Sequence, residues 1–168
     1  MKKIITILAV IGILSLQGCT TITDSNYVDN DTISTVFENK VAYNFTAANN
    51  YIVKFNFPGA IYSSDMVLVY RLTGTVNGAD LWEFLPETHY FADGTRDFGY
   101  NFDFTKNDVQ IYLEGNNLAT LDAGYRLNQF FRIVVVPANI VYAVDKSNLS
   151  AVMAAIKIND SQIQKFNF

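Results

Sequence analysis

Apolar and polar positions alternate in short stretches through most of this chain, and turn formers separate the stretches. Tyr51, Val53, Phe55 and Phe57 alternate with Ile52, Lys54 and Asn56, the two-residue period of a half-buried strand, before Pro58-Gly59 breaks the run. From Met66 to Leu72 the chain is continuously apolar apart from Arg71, which predicts a central strand covered on both faces. Asn77-Gly78 supplies the positive φ angles of a tight hairpin turn. Leu81 to Leu85 follows as a strand stopped by Pro86, and Thr88 to Phe91 forms a short one before Asp93-Gly94. Phe98, Tyr100, Phe102 and Phe104 then share one face, opposite Asp97, Gly99, Asn101 and Asp103. Val109, Ile111 and Leu113 face inward against Gln110, Tyr112 and Glu114, ahead of a Gly115-Asn116-Asn117 turn. Phe130 to Val136 is a second apolar run, broken only by Arg132 and ended by Pro137.

Seven or eight short strands punctuated in this way predict a mainly β fold: a single antiparallel β-sandwich, immunoglobulin-like or similar, over residues 34–168. One helix interrupts the pattern, with Leu149, Val152, Met153 and Ile156 at helical spacing and Ser147 as its N-cap. The tail, Ile163 to Phe168, reads as a returning edge strand.

Composition narrows the function classes. Half of the 168 residues are apolar and 17% are charged, which suits one domain with a sizeable core. The formal charge of −4 argues against a nucleic-acid partner, which calls for a basic patch. One Cys and one His exclude an internal disulfide framework, a thiolate-rich zinc site and a multi-histidine metal site. No metal and no cofactor are expected.

The N-terminus carries the most specific signal. Met1-Lys2-Lys3 is basic, and Ile4 to Leu14 is an apolar run of eleven residues broken by Thr6 and Gly12. A membrane-crossing helix needs about 20 apolar residues, so residues 1–18 read as a secretory leader. Leu16-Gln17-Gly18-Cys19 resembles the lipobox of bacterial lipoprotein signal peptides, with Gln17 a slight departure from the residue usual there. The resemblance implies that Cys19 receives diacylglycerol and, after cleavage, an N-acyl chain such as palmitate. Loss of Lys2 and Lys3 would take the formal charge from −4 to −6. At roughly 0.8 kcal/mol per buried methylene, two or three acyl chains make an effectively permanent anchor.

Residues 19–33 are polar and acidic and read as a flexible stalk, which reaches roughly 40 Å when extended. Asp24, Asn26, Asp29 and Asp31 lack the central Gly and distal Glu of a calcium loop. Asp31-Thr32-Ile33 is similar to the acceptor of O-glycosylation in Bacteroidetes-type bacteria.

The search for catalytic chemistry finds no Gly-x-Ser-x-Gly elbow, no phosphate-binding Gly loop and no paired-His helix motif. His89 would have to serve as the base of any serine triad, but no partner Ser is marked by the residues around it. Glu83, Glu87, Asp97 and Asp103 are the carboxylates from which a glycosidase pair would be drawn. Arg71 and Arg132 adjoin the apolar runs and are expected to bridge carboxylates at sheet ends.

Among 24 aromatic residues most must be core, but Tyr62, Trp82 and Tyr90 lie beside turns or polar neighbours. Trp82, His89 and Tyr90, interspersed with Glu83 and Glu87, are the candidate ligand-binding residues, offering rings for stacking and polar groups for orientation. The competing reading packs Trp82 and Phe84 inward and leaves Glu83 to solvent.

Together with the lipobox, Val67-Leu68-Val69-Tyr70, Trp82-Glu83-Phe84-Leu85-Pro86-Glu87-Thr88, Phe102-Asp103-Phe104-Thr105 and Phe131-Arg132-Ile133-Val134-Val135-Val136-Pro137 resemble small envelope lipoproteins of Bacteroidetes-type bacteria. The resemblance implies a β-domain lipid-anchored to a membrane of the cell envelope, in the first place the outer membrane. It carries over no catalytic residue. The expectation is a non-catalytic binding or assembly module with a saccharide or protein partner in the envelope; the alternative is a small hydrolase of envelope or extracellular polymers.

Overall fold

The computed structural model describes residues 33–167; the leader, the lipobox with Cys19 and the stalk up to Thr32 lie outside the described residues. Strands β1 (Thr35–Asn39), β2 (Ile52–Asn56), β3 (Asp65–Val76), β4 (Ala79–Phe84), β5 (Glu87–Tyr90), β6 (Arg96–Phe104), β7 (Asp108–Gly115), β8 (Phe131–Pro137) and β9 (Gln164–Phe166) form two sheets. One sheet has the order β4-β3-β8-β1-β9, the other β2-β7-β6-β5. Helical turns α1 (Ala123–Arg126) and α2 (Ala138–Val141) precede and follow β8, and α3 (Leu149–Ile156) is the longer C-terminal helix. The fold is the expected mainly β sandwich with one short helix near its C-terminus.

The two long apolar runs explain the layering. β3 and β8 pair antiparallel at the centre of the five-stranded sheet, with Val67 opposite Val135 and Val69 opposite Ile133. These residues face the other sheet and meet Phe55, Tyr100 and Ile111 in the inner core. The alternate residues Leu68, Tyr70, Val134 and Val136 face the opposite way, under Leu149, Val152 and Met153 of α3. A strand sandwiched between a sheet and a helix has no wet face, so its residues are apolar except where a polar group is paired, as Arg71 and Arg132 are with Glu87 and Glu38. Burial of each such aliphatic side chain contributes roughly 1.5–3 kcal/mol. Among the described residues the four-stranded sheet has no such second cover, and its strands keep the alternation: Val53 and Phe55 of β2 are buried beside exposed Lys54 and Asn56.

Turn chemistry behaves as the sequence indicates. Asn77 and Gly78 adopt φ of 52° and 81° and join Val76 to its partner Ala79. Gly99 is needed for another reason: a Cβ there would lie 2.6 Å from the Glu87 carbonyl oxygen, so β5 and β6 approach closely only because it is absent.

Local details differ from expectation. Asn148, not Ser147, caps α3, its side chain accepting from the Ala151 N–H at 3.1 Å. Ser147 is instead drawn into a turn on Asp145, to which it donates both its hydroxyl (2.7 Å) and its N–H (3.0 Å). The returning tail does form an edge strand, but β9 pairs parallel to β1, with Phe37 opposite Gln164. On β6, Phe98 and Tyr100 are buried while Phe104 is exposed, because the strand runs out toward the turn that leads to β7.

Two tyrosines lock the layers through their hydroxyls. Tyr70 donates to the Lys146 carbonyl at 2.6 Å, tying the sheet to the segment before α3, and Tyr100 donates to the Tyr125 carbonyl. Burial pushes both phenols above the ordinary value of 10.0, with Asp145 adding to the effect at Tyr70. A raised folded-state value means their contribution to stability is complete below about pH 10 and is lost as pH rises beyond it, when the unfolded chain ionises first. In an alkaline titration Tyr70 and Tyr100 should therefore ionise only as the strand circular dichroism disappears. Ionisation of every tyrosine before unfolding would contradict this packing.

Candidate functional site

Alternation along β4 aims Trp82 and Phe84 at the helix-covered side of the sheet, where Trp82 pairs with Leu72 and Phe84 with Tyr70. Trp82 is half-buried there, and the Arg132 guanidinium lies over its ring at 4.4 Å. Arg132 is itself pinned: its Nε donates to Glu38 Oε2 at 2.9 Å, and Asp160 lies 3.4 Å from Nη1. Lys165 completes the pairing of Glu38 from β9. Arg132 thus bridges carboxylates, as the sequence indicates.

The Trp82 ring and Arg132 line an open groove of about 950 Å³. Its other walls are the β3–β4 hairpin, the first residues of α3 and the segment from Ile158 to Asp160. Asp80, Asp145 and Asp160 border it, together with Ser150 and Asn159. Hydrogen bonds from the Ser147 hydroxyl and N–H hold the Asp145 carboxyl below the usual carboxylate range, so it is ionised at neutral pH. With Arg132 already spent on Glu38 and Asp160, the charge facing a ligand is negative.

His89 and Tyr90 are elsewhere. The chain leaves the five-stranded sheet at Leu85-Pro86 and enters the four-stranded one as β5. Glu87 and His89 turn inward there, while Thr88 and Tyr90 stay exposed. The structure therefore places Trp82 in one sheet and His89 and Tyr90 in the other, with the latter two on opposite faces of their strand. Tyr62 is exposed in the segment before β3.

Glu87 and His89 belong to a polar cluster at the sheet–sheet interface. Arg71 of β3 donates to Glu87 through Nε at 2.8 Å and Nη2 at 2.6 Å, and through Nη1 to Gln129 Oε1 at 3.1 Å. The Tyr100 ring lies 4.5 Å from the guanidinium carbon. Burial alone would lower the Arg71 pKa, but the Glu87 hydrogen bonds together with the charges of Tyr100, Glu87 and Glu83 outweigh it and the net shift is upward. His89 Nε2 contacts Glu87 Oε1, so its neighbour is a carboxylate already bound to Arg71. Gln129 Nε2 donates to the carbonyls of Gly124 (2.8 Å) and Leu127 (2.6 Å). Among the described residues no buried side-chain nitrogen or oxygen is left without a partner.

Of the other carboxylates weighed for a glycosidase pair, Glu83 and Asp103 are exposed and Asp97 is half-buried. Among the described residues no three His, Cys, Asp or Glu gather closely enough to hold a metal ion. Gln129 and Asn39, both buried and polar, are not singled out by the sequence pattern; each lies two residues outside a buried Phe, Phe131 or Phe37, where an amide at the end of an apolar stretch is indistinguishable locally from a loop amide. Comparison with protein-family models, curated proteins and solved structures finds no match to this chain.

Proposed function

We propose that this chain is a lipid-anchored, non-catalytic binding module of a bacterial cell envelope, and that the groove between β4 and α3 takes a neutral, hydroxyl-rich ligand of the saccharide class. The observation that carries the reading is the Trp82 ring, backed by Arg132 and open to a groove bordered by Asp80, Asp145 and Ser150. An aromatic face stacks on sugar C–H groups, and carboxylate and hydroxyl oxygens accept from sugar hydroxyls. The same carboxylates repel anionic polymers. Anchoring rests on the sequence: Cys19 follows a basic residue pair and an apolar run too short to cross a bilayer. Binding is favoured over hydrolysis because Glu87, the most buried acid near His89, has both oxygens engaged.

Trp82 is the one Trp of the chain, so its fluorescence reports directly on the groove. The full chain, in a zwitterionic detergent without a sugar headgroup, would be titrated with maltotetraose, cellotetraose, mannotetraose, N-acetylchitotetraose and polygalacturonate. A neutral oligosaccharide should shift the emission, and Asp80→Ala should weaken that response. Silence from all four neutral probes, or preference for the acidic polymer, would contradict the proposal. For the anchor, Cys19→Ala should abolish incorporation of a fatty-acid analogue in cells; labelling that persists in the variant would refute it.

A further inference from the structure

A second groove, of about 460 Å³, opens where the start of β6, the turn after β7 and α1 come together. Its size falls within the roughly 300–1,000 Å³ of small-molecule sites. Phe91 and Tyr125 supply exposed rings over buried Phe98, and Asp97, Asn116 and Asn117 supply polar groups.

The Tyr125 ring is held from behind. It lies 4.9 Å from the Phe98 ring and 5.0 Å from the His89 ring, and its carbonyl accepts the Tyr100 hydroxyl. His89 in turn lies flat on Phe98, at 4.2 Å and 9°, beside the Glu87 carboxylate that Arg71 anchors. The buried cluster thus fixes a ring that still leaves 37% of its residue surface exposed, beside Phe91 at 50%. An aromatic supported on one side and open on the other is preorganised for stacking.

The polar groups divide in a telling way. Asp122 accepts from the Gly124 N–H at 2.7 Å and Thr120 donates to the Asn117 carbonyl at 3.1 Å, so both serve the local backbone. The side chains of Asp97, Asn116 and Asn117 form no hydrogen bond or ion pair among the described residues. They retain one carboxylate and two amides for an outside partner. Among the described residues no Lys or Arg lines the groove, and its charges are those of Asp97 and Asp122, which disfavours an anionic ligand.

We infer that this groove is a saccharide-binding site in its own right, taking a neutral sugar whose C–H face stacks on Tyr125 while its hydroxyls bond to Asp97, Asn116 and Asn117. It shares no lining residue with the Trp82 groove and does not depend on it.

The test is calorimetry on the full chain in the same sugar-free detergent. The probes are maltotetraose, cellotetraose, mannotetraose and N-acetylchitotetraose, with tetraalanine as a peptide probe. At least one oligosaccharide should bind, and Tyr125→Ala should weaken that binding about tenfold, the equivalent of 1.4 kcal/mol. Asp97→Asn should also weaken it, and it keeps the test decisive if circular dichroism shows that Tyr125→Ala has lost its fold. Amide resonances of Asn116 and Asn117 should shift on addition of the bound sugar. Absence of binding by all four oligosaccharides, affinity that survives both substitutions, or binding of tetraalanine alone would overturn the inference.

Discussion

Replacing Glu87 by alanine should lower the free energy of unfolding by about 3–5 kcal/mol, because it strands the Arg71 guanidinium in the sheet–sheet interface. Both side chains of this pair are 6% exposed, and Arg71 donates two of its hydrogen bonds to Glu87. Whole-domain stabilities are typically 5–15 kcal/mol, so a loss of that size brings the fold close to its threshold. Urea denaturation followed by circular dichroism would measure it. Removing both charges at once, as Arg71→Met with Glu87→Leu, should recover much of the loss, since two apolar side chains of similar size leave no orphaned charge. Arg96–Glu114 supplies the control: its side chains are 49% and 42% exposed, and Glu114→Ala should cost about 0–1 kcal/mol. Equal effects of Glu87→Ala and Glu114→Ala would show that the Arg71 pair is not sealed from water.

Phe131→Ala is the second large effect, expected at about 3–5 kcal/mol. Phe131 is fully buried at the start of β8, and its ring meets Phe45 at 5.8 Å and Tyr100 at 6.2 Å, both edge to face. Truncation removes those contacts and opens a cavity between two sheets whose backbones cannot collapse into it without breaking the β3–β8 ladder. Tyr90→Ala, on an exposed ring, should stay within about 0.5 kcal/mol. Comparable losses for the two variants would mean that the aromatic residues are not divided between core and surface in this way.

These effects bear on the proposed binding grooves as well as on stability. Glu87 and Arg71 stand behind His89, and His89 stands behind Phe98 and Tyr125. The rigidity of the Tyr125 groove therefore draws on the same buried charges that hold the sheets together. The Trp82 groove depends on a separate set, Arg132 with Glu38, and should tolerate changes at Glu87 that leave the fold intact.

The linear order of residues was sufficient for everything governed by the local period. A period of two along Tyr51 to Phe57 and Phe98 to Tyr100 fixes which side chains turn inward, whatever the strand later pairs with. The apolar runs at Val67–Tyr70 and, but for Arg132, Phe131–Val136 announce strands covered on both faces, and α3 proves to be the second cover. Asn77-Gly78 determines its own turn because its φ angles are a property of those two residues.

Only the tertiary structure decided how these pieces share surfaces. Trp82, His89 and Tyr90 are neighbours in the chain, yet the crossing at Leu85-Pro86 carries them into different sheets. Conversely, Asn39 donates to the Gln129 carbonyl at 3.0 Å across 90 residues, and Arg132 reaches Glu38 across 94. A side chain's facing follows from its own backbone geometry and is encoded locally. Its partners are set by strand pairing between distant segments, where many registers satisfy the same alternation. Only the joint packing of both sheets and α3 selects one of them.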